Sequence, residues 1–190
     1  MRSLALLLLC SVLAPAALNA QRVQLGAAVE WRGQLGTTST TSDRRSGLAA
    51  RLMANGFLRQ STDWRLDGAY SQMKYDRRDE FGVIPINESG LEIGGYLRQS
   101  LWPISRARPY IVAGGIASLR MSCGVDTAFD SSNIIECEGK DQFLLGWGAG
   151  LGARTEFIGG WDWFFEARLL GNVTSAAGGR LLAIGVGAAF

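Results

Sequence analysis

Apolar and polar residues alternate at period two along most of this 190-residue chain, in about eight runs of near ten residues each. That rhythm predicts an all-β fold, an eight-stranded antiparallel up-and-down barrel. Two further observations carry the same expectation. The connections between runs alternate between long polar segments and short ones, and the face of the strands that carries no charge is the apolar one. A soluble ligand-binding barrel needs the reverse, a polar outside and an apolar cavity, so the apolar face is expected to meet lipid.

The start of the chain reads as an export signal. Met1, Arg2 and Ser3 give a basic start, residues 4–18 are apolar, and Leu18, Asn19 and Ala20 form a small-residue cleavage site. The apolar stretch is shorter than the roughly 18 residues a spanning helix requires. Residues 1–20 are therefore expected to be a cleaved signal peptide that takes Cys10 with it, leaving 21–190 as one barrel domain. Charge is nearly balanced, with 19 basic and 17 acidic residues, and points to no nucleic-acid partner. Lys74 and Lys140 are the only lysines, so arginine carries the positive charge, which suits ion pairs and phosphate contacts. The 25 glycines lie inside alternating runs, where they fit strands that bend or approach closely.

The first run, 22–32, sets Val23, Leu25, Ala27, Val29 and Trp31 against Gln24, Gly26, Ala28 and Glu30. The second, 47–58, sets Leu48, Ala50, Leu52, Ala54 and Leu58 against Arg51, Met53 and Asn55. In the third, 64–74, Trp64, Leu66, Gly68 and Tyr70 oppose Arg65, Asp67 and Ser71, and in the fourth, 89–101, Leu91, Ile93, Gly95 and Leu97 oppose Glu92, Gly94, Tyr96 and Arg98. Both faces of the fifth, 109–120, are apolar or small; its outward set is expected to be Tyr110, Val112, Gly114 and Ile116. The sixth, 142–155, alternates Phe143, Leu145, Trp147, Ala149, Leu151 and Ala153 with glycines and Arg154. The seventh, 161–170, sets Trp163, Phe165, Ala167 and Leu169 against Phe164, Glu166 and Arg168. The eighth, 180–190, puts Leu182, Ile184, Val186, Ala188 and Phe190 on one face and small residues on the other; its uncharged edge is best closed against the first strand.

Segments 33–46, 75–88, 121–141 and 171–179 are the long polar connections, and 59–63, 102–108 and 156–160 the short ones. In outer-membrane barrels long loops face outward and short turns face the periplasm, which places both termini in the periplasm. Aromatic residues follow the same levels. Trp64, Trp102, Tyr110, Phe157, Trp161, Trp163 and Phe190 map to the periplasmic end, and Trp31, Tyr75 and Phe143 to the outer rim, as expected of rings at a membrane interface.

On these features the chain resembles, over residues 21–190, the small eight-stranded outer-membrane β-barrel family that includes the OmpA transmembrane domain and OmpX. The resemblance implies a cell outer membrane location, contact with outer-membrane lipids, and handling by the barrel-assembly machinery, which reads a last strand with a glycine and a final aromatic; Gly185 and Phe190 match. Ala183 stands where a polar residue is usual in that signal. A monomer is the expected state.

No histidine is present. Hydrolases and acyltransferases that resemble this barrel generally use histidine as a base, because its pKa lies near working pH. A non-enzymatic protein without cofactor or metal is therefore expected, with a lipid-modifying enzyme the third reading. Glu30, Arg51, Arg65, Asp67, Glu92, Arg98, Arg154, Glu166 and Arg168 fall on the inward faces and predict an ion-pair network that plugs the lumen. A narrow pore or transporter for small or hydrophobic solutes is the competing reading. Cys123 and Cys137 would meet an oxidising compartment and read as a disulfide; a metal site is the weaker alternative. Asp126, Asp130, Glu136, Glu138 and Asp141 make the same segment acidic, which leaves a cation site or plain solvated charge open. Arg44, Arg45, Arg77 and Arg78 are candidates for lipopolysaccharide phosphates or a surface partner, against the simpler reading of solvated loop charge.

Overall fold

Every alternating run becomes a strand: β1 (Gln24–Leu35), β2 (Ser46–Arg59), β3 (Thr62–Asp79), β4 (Gly82–Ser100), β5 (Ala107–Val125), β6 (Phe143–Glu156), β7 (Asp162–Asn172) and β8 (Arg180–Ala189). The computed structural model describes residues 23–35, 45–59, 61–79, 82–102, 106–125, 143–156, 161–173 and 180–190. Consecutive strands pair antiparallel, and β1 pairs with β8 to close an eight-stranded barrel. Closure runs from Gly26 opposite Ala189 to Leu35 opposite Arg180. It is extended by reciprocal backbone bonds between Leu25 and Phe190 at 3.0 and 2.8 Å. No strand edge is left open around the belt, so the backbone groups of an apolar segment are satisfied without water.

Along the belt, outward residues are apolar and exposed, as with Leu52, Ile93 and Leu151 at 70, 71 and 64 % exposure, while inward neighbours are buried. A soluble protein of this size rarely shows a continuous apolar belt, because each such surface in water costs about 25 cal/mol per Å². Trp102, Trp161, Trp163 and Phe190 are exposed at the end of the barrel that carries Val23, and the Trp161 and Phe190 rings lie 5.2 Å apart.

The structure departs from the sequence expectation in three places. First, β5 faces the other way: Tyr110 and Val112 are buried inside, and Ile111, Ala113 and Leu119 point out. With both faces apolar, polarity could not decide the phase; what decides it is the hydroxyl of Tyr110, which finds a carboxylate inside. Second, Tyr75 is not a rim aromatic facing lipid. It shares the inward phase of β3, is buried, and has the Arg45 guanidinium 4.4 Å above its ring. Third, segment 75–88 is largely strand, not loop, because β3 and β4 pair through to Asp79 opposite Gly82, and β5 continues beside β4 to Val125. Polar residues on both faces had the look of a loop, yet the backbone pairing satisfies them as well as water would.

Candidate functional site in the barrel interior

Inward phase brings every expected lumen charge into the barrel, and these charges form two layers. The central layer contains Glu30, Arg32, Arg51, Arg65, Asp67, Glu92, Glu166 and Arg168, four guanidinium groups and four carboxylates. Glu166 is its hub. It receives Arg65 at 2.7 and 3.1 Å, Arg51 at 2.9 Å and the Tyr110 hydroxyl at 2.9 Å, and it lies 3.1 Å from Arg168 Nε. Glu30 pairs with Arg32 at 3.1 Å, with Arg51 at 3.0 Å and with Arg168. Asp67 takes Arg51 and Arg168 at 3.2 Å each and lies 3.0 Å from Arg65 Nε, while Arg32 reaches Glu92 at 2.5 Å.

The register explains how side chains this large fit. One row of register partners runs Glu30, Gly185, Glu166, Gly152, Tyr110 across β1, β8, β7, β6 and β5. Large and small residues alternate along it. A Cβ on Gly185 would stand 2.9 Å from Glu30 Cγ, and one on Gly152 would run into the Tyr110 ring. The neighbouring row, Arg32, Ala183, Arg168, Gly150, Val112, Arg98, repeats the pattern. The inward glycines and Ala183 of β6 and β8 therefore make room for the charged residues of β1 and β7. Gly185, read from the sequence as part of an assembly signal, sits where two carboxylates flank it, and Ala183 leaves space where a larger polar residue would collide with Arg32 and Arg168.

Aromatic rings complete the packing. Tyr96 lies under both Arg65 and Arg168, each 5.0 Å from its centroid, and Tyr110 lies 5.3 Å from Arg98. Such contacts hold a guanidinium plane flat while its edges bond carboxylates.

The second layer lies toward the Trp161 and Phe190 end. Arg98 grips Asp63 at 2.6 and 3.1 Å; Arg154 stands farther off, 3.8 Å from Asp63 and 3.9 Å from Asp162, whose carboxylate also accepts from Gln24 at 3.2 Å. Arg32, Asp63, Asp162 and Tyr110 were not among the site residues expected from sequence. Period two finds three of them: Arg32 shares phase with Glu30, Asp63 with Arg65, and Asp162 with Glu166, each at the end of a run or in a turn, where the pattern is weakest. Arg65 and Asp67 belong to the central layer, 3.0 Å from each other and bonded to Glu166 and Arg168.

Two small cavities flank the central layer. One, of about 10 Å³, is lined by Arg65, Arg98, Arg154, Asn55 and Phe164; the other, also about 10 Å³, by Arg32, Arg51, Glu92, Tyr96 and Arg168. Each has room for about one water. Arg51 Nε and Nη2 and Asn55 Oδ1 have no hydrogen-bond partner among the described residues, and a water in these spaces is within the chemistry they need.

Of the remaining expected residues, Cys123 is disulfide-bonded. Cys137, Arg44, Phe157, the acidic residues Asp126, Asp130, Glu136, Glu138 and Asp141, and the signal segment 1–20 lie outside the described residues, as do the side chains of Arg77 and Arg78. Among the described residues no group of three or more cysteine, aspartate or glutamate side chains is arranged to hold a metal ion.

No family model matches the chain, and no curated protein is significantly similar to it in sequence. Solved structures are similar in fold. Neisserial surface protein A superposes with a TM-score of 0.59 at 15 % identity, covering 90 % of this chain and 98 % of that one. The outer membrane protein OprG from Pseudomonas aeruginosa gives 0.55 at 12 % identity, covering 88 % and 95 %. The closed antiparallel barrel, its strand count and these neighbours together show that the chain has the fold of the small eight-stranded outer-membrane β-barrels.

Proposed function

We propose that this protein is an integral, monomeric and non-enzymatic barrel of the outer membrane, whose lumen is closed by its own ion pairs and whose role is structural or one of surface interaction. The observation that carries this reading is the central layer: four arginines and four carboxylates bonded across the lumen, with a flanking cavity on either side that holds about one water. Side chains can fill an eight-stranded barrel, and here they do so at matched charge. The apolar belt supports lipid as its surroundings, and the fold it shares with outer-membrane proteins supports that membrane over others.

Both termini then lie in the periplasm, and the long segments outside the cell. In this reading Arg44, Arg77 and Arg78 belong to the outward segments and are the candidates for lipopolysaccharide phosphates or a surface partner, while Arg45 is held over the ring of the inward-facing Tyr75. Gly185 and Phe190 would be read by the assembly machinery. The rival reading, a pore for small or hydrophobic solutes, needs a continuous path, against which stand the ion pairs that bridge the lumen. Absence of histidine argues against the lipid-modifying enzymes that rely on it.

Reconstitution into liposomes tests the reading. The protein should fractionate with outer membranes, and liposomes carrying it should swell in arabinose or glucose no faster than empty ones. Solute-dependent swelling would replace the closed barrel with the pore.

A further inference from the structure

We propose that, on the β3–β5 side, the outer surface of the bilayer meets the barrel between two adjacent rows of residues, and that beyond it these strands stand in water as a folded sheet; the inference rests on the membrane reading above. The first row is Tyr70, Leu91 and Leu119, outward and 41, 44 and 46 % exposed. The next outward row is Gln72, Ser89 and Ser122, and the one after it Lys74, Asn87 and Gly124. From one row to the next the outward face changes from wholly apolar to wholly polar.

Two further features fall at the same level. The polar row satisfies itself sideways, with Ser89 and Ser122 hydroxyls 2.6 Å apart and Gln72 Nε2 donating to the Tyr70 hydroxyl at 3.2 Å, a tyrosine with its ring below and its polar tip above the line. The β4–β5 ladder bulges here: Ser89 pairs with Ser122 and Gly90 with Arg120, so Met121 is the extra residue, exposed on the outside. A bulge bends and twists the strand at the point where it leaves the belt.

The inward face is mixed above the line: Glu88 and Arg120 pair at 2.6 Å, and beyond them Tyr75 and Ile86 are register partners, 8 and 4 % exposed. A polar outer face over such a covered interior is the pattern of a sheet in water, as an apolar outer face is that of a sheet in lipid. β3 continues from Gln72 to Asp79, roughly 25 Å of strand at about 3.3 Å per residue. On β2 the apolar band reaches one step further, to Leu48 opposite Gln72, as tilted strands require.

The test is depth-dependent quenching. Single cysteines placed by Tyr70→Cys, Leu91→Cys, Gln72→Cys, Ser89→Cys, Lys74→Cys and Asn87→Cys would carry a maleimide fluorophore in the full protein, whose Cys123 is already bonded, in phosphatidylcholine vesicles with or without acyl-chain bromine. Bromine should quench positions 70 and 91 at least twofold more than positions 74 and 87, and aqueous iodide should do the opposite, with the step at 72 and 89. Bromine quenching at 74 and 87 would overturn the boundary while leaving the membrane reading intact. Iodide quenching at 91 as strong as at 87, with a fluorophore at Ile93→Cys behaving the same way, would overturn both.

Discussion

The two charged layers inside the barrel are built from the same residue types, arginine against aspartate and glutamate, yet they are held differently. In the central layer each of Glu30, Asp67 and Glu166 is shared by arginines from several strands, in contacts no longer than about 3.2 Å. In the layer toward Trp161 and Phe190, Arg98 and Asp63 make one tight pair, and Arg154 stands almost 4 Å from either carboxylate. The difference teaches what closes the lumen. A pair between adjacent strands, such as Arg98 with Asp63, lies against the wall; a carboxylate gripped from β2, β3 and β5 at once, as Glu166 is, spans the space between walls.

Breaking a buried pair by deleting one partner strands the other charge at a cost of about 3–5 kcal/mol. The largest expected effect is therefore at the hub. Glu166→Gln should destabilise the folded barrel by about 3–5 kcal/mol, read as a lower midpoint for the heat- or urea-driven shift between the compact and unfolded bands on unheated gels. Arg154→Met should cost about 1 kcal/mol or less by the same assay, because its charge contacts are long and neighbouring groups are already satisfied. Equal losses from the two variants would abolish the distinction between the layers.

Tyr110→Phe removes only the hydroxyl that donates to Glu166 and should lie between them, at about 1.5–3 kcal/mol. The same variant checks the phase of β5: were Tyr110 outside, losing its hydroxyl in lipid would be neutral. Glu156→Gln breaks the exposed pair with Arg108 at the barrel's end and should change the midpoint by about 0–1 kcal/mol, the smallest effect of the set.

Most of this architecture was legible in the chain because a period-two pattern reports the faces of a sheet directly. Leu52 against Arg51, Ile93 against Glu92 and Phe165 against Glu166 fix the phase of β2, β4 and β7 without further information. β5 was harder to phase for the same reason: Tyr110, Val112 and Ile111 are all largely apolar, and the charges that share the phase of Tyr110, Arg108 and Arg120, stand near its ends. Arg32, Asp63 and Asp162 are legible by phase, but they stand at the ends of runs, where pattern and turn compete. The pairing of charges was not legible at all. Which arginine meets Glu166 depends on the stagger of the strands around the closed barrel, a quantity that no single strand carries. The extension of β3 and β4 past the belt was hidden by its polarity, since a strand in water and a loop have similar composition.

Single-channel recording in planar bilayers tests the closed lumen most directly. With the central layer intact, the folded protein should insert without opening steady conductance steps in 1 M KCl, while Glu166→Ala, which leaves Arg51, Arg65 and Arg168 without their shared carboxylate, should admit current that favours chloride. Large, steady steps from the unsubstituted protein would contradict the account.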